Sequence, residues 1–173
     1  FKVDQPLESW MVEIRRHLHQ YPETSYDEFK SAGFIKDKLR ELGIESSGGH
    51  GGTGVTAHIG NDAAGEPCVA LRADMDALPI MEKTGLEFSS THDGIMHACG
   101  HDGHTSMLLG AAELLVRGGD LPAPVKLIFQ PAEEEGAGAN ALIEAGVHRP
   151  REQGWMALRP LARIMARPGS SKA

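Results

Sequence analysis

The chain has 173 residues, 40% hydrophobic and 24% charged, enough for one ordinary domain that buries roughly 70% of the surface its unfolded chain exposes. A formal net charge of −7, with no basic patch before residue 149, argues against a nucleic-acid partner, and no apolar run approaches the ~20 residues that span a bilayer. The 2 cysteines are too few for a disulfide scaffold, so a reducing, cytoplasmic compartment is expected; no signal peptide is recognisable, and a start at Phe1 rather than Met points to an N-terminus that is missing or processed.

Leu7, Trp10, Met11, Ile14 and Leu18 recur at helical spacing, which predicts an amphipathic helix over residues 7–19 that stops before Pro22. His17 and His19 read as packing or hydrogen-bonding residues rather than ligands. Ser25 and Glu28 have the spacing of a capping box. They precede a second helix with Phe29, Ala32, Ile35, Leu39 and Leu42 on its buried face and Gly43 as its C-terminal cap.

Residues 46–54 are glycine-rich and aperiodic, and read as a flexible loop of little chemical content. Val55, Ala57 and Ile59 alternate with polar residues as in a strand with one wet face, and residues 61–67 read as a hairpin turn into a buried strand over 68–73. Cys68 opens that strand as a small core residue. A long polar connection covers residues 82–94. Residues 105–116 are apolar nearly all round, which predicts a buried helix. Residues 126–130 read as another buried strand and residues 137–145 as a last helix closed by Gly146. This alternation implies an α/β fold with helices on the faces of a sheet.

Met96-His97-Ala98-Cys99-Gly100-His101-Asp102-Gly103-His104 concentrates a thiol, imidazoles and a carboxylate where the loop gives way to the apolar helix. Cys99 and His101, two apart, project to one side of an extended backbone, and a thiolate with a neutral imidazole suits Zn²⁺ or another transition ion. Alone, a Cys-x-His is more often a surface loop with one core cysteine. Two buried strands change the balance. One runs into Asp74 and Asp76, the other into Glu133, Glu134 and Glu135, and the ends of strands are where open α/β sheets bind their ligands.

Arg72-Ala73-Asp74-Met75-Asp76-Ala77-Leu78-Pro79, the Met96–His104 stretch and Phe129-Gln130-Pro131-Ala132-Glu133-Glu134 stand in the order and spacing of the M20 metallopeptidase family. They resemble its amidohydrolase branch, which includes hippurate hydrolases, N-acyl-amino-acid amidohydrolases and plant auxin-conjugate hydrolases. Arg15 to Glu23 resembles the family's N-terminal signature, and the likeness runs from about residue 8 to residue 147. It implies an open mixed α/β sheet with helices on both faces, of the zinc-exopeptidase type and incomplete here. By this resemblance Glu133 is base and proton shuttle, while Cys99, His101 and Glu134 bind one or two divalent ions. Mn²⁺ or Zn²⁺ is expected first, with Co²⁺ or Ni²⁺ as alternatives. Asp102 and His104 are expected to orient His101 through hydrogen bonds; Asp74 and Asp76 match the first acidic motif and take a similar outer role. The implied substrate is a small-molecule N-acyl amino acid. The family usually forms homodimers through an inserted domain that this sequence lacks.

Glu135 stands where these enzymes usually have glycine. Beyond His148 the family's further histidine ligands are missing, and residues 149–173 hold five arginines and one lysine against a single glutamate. The expected division is therefore a catalytic-domain portion over 1–148 and a basic, disordered tail over 149–173, produced by truncation or a shifted reading frame; a genomic reading that continued the tail in frame into the missing domain would contradict this. Three functions compete: an amidohydrolase, a non-catalytic metal-binding remnant or interaction module, and a structural metal or redox protein using Cys99. The first accounts for all four motifs and the second for the ending, so the expectation is a hydrolytic ancestry with this chain inactive on its own.

Overall fold

One of the two inner strands of the sheet is the largely apolar hexapeptide Val-Lys-Leu-Ile-Phe-Gln. In the computed structural model, which describes residues 2–60 and 68–147, the elements run α1 (Gln5–Gln20), α2 (Phe29–Glu41), β1 (Ser46–His50), β2 (Gly54–Ile59), β3 (Val69–Asp74), α3 (His101–Gly118), β4 (Val125–Gln130) and α4 (Gly138–Glu144). The strand order is β1-β2-β4-β3, with β4 antiparallel to β2 and parallel to β3. Paired on both edges and covered on both faces, β4 reads as the near-continuous apolar run such a position demands.

Register decides which residues share a face. Val55 and Ala73 both lie opposite Phe129, and Ala57 and Leu71 both lie opposite Leu127. These odd-numbered side chains join Ile14, Leu18, Ile35, Leu39 and Leu109 in the main core, beneath α1, α2 and α3. Ile128, on the other face, packs with Leu142 and Val147 beneath α4. Helices therefore cover both faces of an open mixed sheet, the predicted architecture. Full burial of Phe129, Leu127 and Leu109 contributes roughly 1.5–3 kcal/mol for each side chain.

Four local readings change. Residues 46–50 are an edge strand, antiparallel to β2, with a register shift between Gly48 and His50. Its glycines hide any alternation, and backbone pairing defines it; Gly49, at φ 83°, supplies the left-handed residue such a bulge uses. Residues 61–67 lie outside the described residues, but the strands on either side of them form no hairpin, because β4 lies between β2 and β3. Ser25 does not cap α2. The Glu23 carboxylate does so, accepting from the backbone N–H of Ser31 at 2.8 Å and of Lys30 at 3.2 Å. Phe29 is 67% exposed rather than part of the buried face. At the other end of α2, Gly43 N–H donates to Arg40 O and Ile44 N–H to Leu39 O, the glycine-terminated cap that the sequence predicts. The expected tail over 149–173 lies outside the described residues.

Two glycines test the packing in opposite directions. A Cβ on Gly138 would stand 1.7 Å from the Pro131 carbonyl oxygen, whereas one on Gly33, inside α2, would meet nothing within 4 Å. Gly138→Ala should cost at least ~3 kcal/mol in denaturant unfolding, and Gly33→Ala should add up to about 1 kcal/mol. Similar effects from both would contradict this packing.

Candidate metal centre

Three chain segments meet at one end of the sheet. β3 ends at Asp74 and continues to Asp76, β4 ends at Gln130 and continues to Glu133 and Glu134, and α3 begins at His101. Gly100, at φ 79°, turns the chain from Cys99 into the helix in a conformation a side chain would resist. Asp76 joins the three. Its Oδ2 accepts from Ser25 Oγ at 2.8 Å and from the Glu134 backbone N–H at 3.0 Å. His101 Nδ1 lies 2.9 Å from the Asp76 carbonyl and 3.2 Å from Oδ1. Both partners can only accept, so Nδ1 carries the proton and Nε2 keeps its lone pair when the ring is neutral.

That lone pair sits among carboxylates. Nε2 of His101 is 3.9 Å from Asp74 Oδ2, 3.8 Å from Glu133 Oε2 and 3.8 Å from Glu134 Oε1. These separations are too long for hydrogen bonds. Glu134 Oε1 is buried with no hydrogen-bond partner, a costly state for a carboxylate unless a cation faces it. Cys99, His101 and Glu134 each offer a ligand atom within 4.8 Å of the others. An ion ~2.0–2.3 Å from nitrogen, oxygen or sulfur ligands brings them roughly 3–4 Å apart, so this set fits a divalent ion with little movement. Asp74, His101 and His104 form a second such group.

Three ionisable groups, Asp76, Cys99 and His101, report this crowding. Burial pushes the Asp76 carboxyl upward, but hydrogen bonds from His101, the Glu134 backbone and Ser25 outweigh it and hold the pKa at about 2. The Cys99 thiol is raised to about 11, first by the Glu134 carboxylate beside it, then by burial and by the charges of Glu133 and Asp76. It is therefore a thiol at neutral pH until an ion displaces its proton. Burial lowers the His101 pKa, but Asp76 and Asp74 reverse that and leave it raised.

The structure thus gathers Cys99, His101, Glu134, Glu133, Asp74, Asp76 and His104 in one place. Asp102 is engaged elsewhere. It accepts from His19 Nδ1 at 2.8 Å, Arg15 Nε at 3.2 Å and its neighbour Gly103 N–H at 2.8 Å, and so ties the first turn of α3 to α1. The hydrogen bonds that orient His101 are instead the ones its Nδ1–H donates to Asp76. His19 is the hydrogen-bonding residue the sequence suggested, and it also reaches Glu82 Oε1 at 3.2 Å. His97 is buried with neither ring nitrogen partnered, and burial lowers its pKa to about 4.

A profile of Peptidase family M20/M25/M40 matches residues 70–165. The chain belongs to this family. The matched span passes residue 148, into the basic stretch where the motifs gave no likeness. N-acetyl-L-cysteine deacetylase of Bacillus subtilis is 57% identical over 141 residues, covering 81% of this chain and 34% of the relative. Thermostable carboxypeptidase 1 of Saccharolobus solfataricus is 52% identical, covering 82% and 37% respectively. IAA-amino acid hydrolase ILR1-like 5 of Arabidopsis thaliana is 50% identical, covering 80% and 32%. Among solved structures, a dinuclear metal binding peptidase of the M20 family from Bacillus subtilis superposes with a TM-score of 0.78 at 44% identity, over 83% of this chain and 41% of that one. A putative aminohydrolase from methicillin-resistant Staphylococcus aureus gives 0.74 at 43% identity, over 83% and 39%. The chain spans about a third of the length of these curated relatives.

One further residue shapes this M20 site. Glu28, read from sequence as part of a cap, is fully buried. Its Oε1 accepts from the Ala132 backbone N–H at 2.9 Å and its Oε2 from Thr53 Oγ1 at 2.5 Å. Ala132 has φ 48°, a left-handed conformation that costs a non-glycine residue roughly 1–2 kcal/mol, and it immediately precedes Glu133. Glu28 on one side, and Gly138 N–H donating to Ala132 O at 3.1 Å on the other, hold the turn that aims Glu133 and Glu134. Only the placement of Glu28 before an apolar helix was visible in the sequence; the contact spans 104 positions.

Burial raises the Glu28 pKa above its ordinary value of 4.5. The folded chain then binds this proton more tightly than the unfolded chain, so the stability it contributes is fullest below that value and is lost as pH rises through the raised one. Glu28→Ala should cost about 2–4 kcal/mol by leaving two buried donors unpaired. Glu28→Gln should flatten the loss of unfolding free energy as pH rises above 4.5 relative to the parent; an unchanged profile would contradict the assignment.

Proposed function

We propose that the chain is the metal-binding portion of an amidohydrolase that cleaves the amide bond of N-acyl amino acids, with Cys99, His101 and Glu134 as ion ligands and Glu133 as base and proton shuttle. The observation that carries this reading is the buried, unpartnered Glu134 Oε1 facing the Nε2 lone pair of His101, with the Cys99 thiol in reach of both. The named deacetylase, carboxypeptidase and amino-acid hydrolase relatives support the reaction class. A bound divalent ion would supply a Lewis acid for the carbonyl and lower the pKa of water to about 7. A set of one thiolate, one imidazole and one carboxylate accepts Zn²⁺ or Mn²⁺, with Co²⁺ and Ni²⁺ as alternatives.

The remaining work falls to the chain's own groups. Adjacent residues point in different directions, so Glu134, its side chain 18% exposed, faces the ligand group while Glu133, 44% exposed, faces the open side. From there its carboxylate can take a proton from the attacking water and return it to the leaving amine. Asp76 fixes the His101 ring through Nδ1 and fixes the Glu134 backbone through Oδ2, so ligand and base keep one relative geometry. Asp74 and His104 complete the polar wall.

The substrate is read as a small molecule and the compartment as cytoplasmic; among the described residues, no helix is long and apolar enough to cross a membrane. A non-catalytic metal-binding role is the second reading, because the Cys99, His101 and Glu134 ligand atoms can hold an ion without turnover. A redox role for Cys99 is disfavoured, because a thiol raised to about 11 holds little reactive thiolate.

Metal binding and hydrolysis separate these readings. In equilibrium dialysis with Zn²⁺ or Mn²⁺, His101→Ala should weaken binding at least ~100-fold. Glu133→Gln should leave binding intact and lower N-acetyl amino acid hydrolysis by about 10²–10⁴-fold. Equal binding by the parent and His101→Ala would sink the site; tight binding without hydrolysis by the parent would support the non-catalytic reading.

A further inference from the structure

The ligand atoms around His101 are too many for one ion. His101 and His104 stand three apart at the start of α3, hence on one face of the helix, with ring centroids 5.4 Å apart. Both face one oxygen. Asp74 Oδ2 is 3.5 Å from His104 Nδ1 and 3.9 Å from His101 Nε2. Neither distance is a hydrogen bond; with the rings neutral, the three atoms converge as ligand atoms do around an ion, and only a protonated ring would make these contacts ion pairs. The other Asp74 oxygen makes no hydrogen bond and lies against the Arg72 guanidinium, which leaves Oδ2 as the ligand atom. The Asp74 backbone is also fixed, its carbonyl accepting from Thr105 Oγ1 at 2.9 Å.

We propose that Asp74, His101 and His104 form a second, alternative seat for a divalent ion beside the Cys99–His101–Glu134 seat. The inference rests on the reading of His101 as a metal ligand. Its Nδ1 is engaged by Asp76, so the ring offers only the Nε2 lone pair, which binds one ion at a time. The two seats are therefore exclusive as long as each uses His101. They also differ in chemistry. The first includes a thiolate and suits thiophilic ions. The second, two imidazoles and a carboxylate, suits Mn²⁺, Fe²⁺ and Co²⁺. The His104 side chain is 29% exposed, so ions can reach the second seat from solvent, next to the first. Blocking Cys99 would then shift the ion rather than release it.

Co²⁺ distinguishes the seats by colour as well as affinity. The full 173-residue chain is titrated with Co²⁺ as parent, Cys99→Ser, Cys99→Ser/His104→Ala and Cys99→Ser/Asp74→Asn, following ligand-field and thiolate-to-cobalt charge-transfer absorption. Cys99→Ser should still bind Co²⁺, without the charge-transfer band, and either second change should weaken that binding by about 10–100-fold. Binding by the parent with none by Cys99→Ser would overturn the second seat and leave the first standing. Equal binding by Cys99→Ser and both double variants would also overturn it. No binding by the parent would overturn both.

Discussion

A single buried carboxylate, Asp76, holds the functional end of this protein together. It takes hydrogen bonds from Ser25 ahead of α2, from His101 at the start of α3 and from the Glu134 backbone after β4. Burying a carboxylate is unfavourable alone, and three donors offset that cost, as its pKa of about 2 records. Because the folded value lies below the ordinary one, this contribution is present at neutral pH and is lost only as pH falls through the folded value. One residue thereby sets the imidazole's tautomer and the position of the glutamate that faces it.

The sheet makes that tie effective. β4 is paired on both edges and buried on both faces, so its C-terminal end is the most constrained point from which Glu133 and Glu134 can be launched. Beyond it the Ala132 turn is left-handed and would relax without Glu28 on one side and Gly138 on the other. Several carboxylates surround one imidazole nitrogen at distances that no hydrogen bond uses, and Glu134 Oε1 is buried without a partner. An ion bound there would stabilise the fold, since ligands that bind only the native state shift the folding equilibrium toward it.

Much of this was legible in the sequence. The periodicity of α1 and the all-round apolarity of α3 located both helices, and apolar runs located β3 and β4. The convergence of Cys99, His101 and Glu134 was expected from the family motifs, and the fold brings their ligand atoms within 4.8 Å of one another. What sequence did not reveal was long-range. β1 has no side-chain pattern because glycines carry it, and its existence depends on the neighbouring edge of β2. The order β2-β4-β3 cannot be read from local signals, so the link after β2 resembled a hairpin. Asp102 was misplaced for the same reason: adjacency to His101 along the chain favoured it as the residue that orients the ring, while tertiary structure gives that role to Asp76, already expected in an outer role, and ties Asp102 to α1. Glu28 looked like a cap because its partner at Ala132 is distant in sequence.

The most direct test of this account is the protonation of the His101 ring, read from two-bond proton–nitrogen correlations of imidazole groups in the ¹⁵N-labelled chain. Above its pKa the ring should be the Nδ1–H tautomer, the less common one in free histidine. On adding Zn²⁺ the Nε2 resonance should shift while Nδ1 keeps its proton. A ring protonated at Nε2, or an Nε2 signal that ignores the metal, would contradict the claim that Asp76 sets this nitrogen to bind an ion.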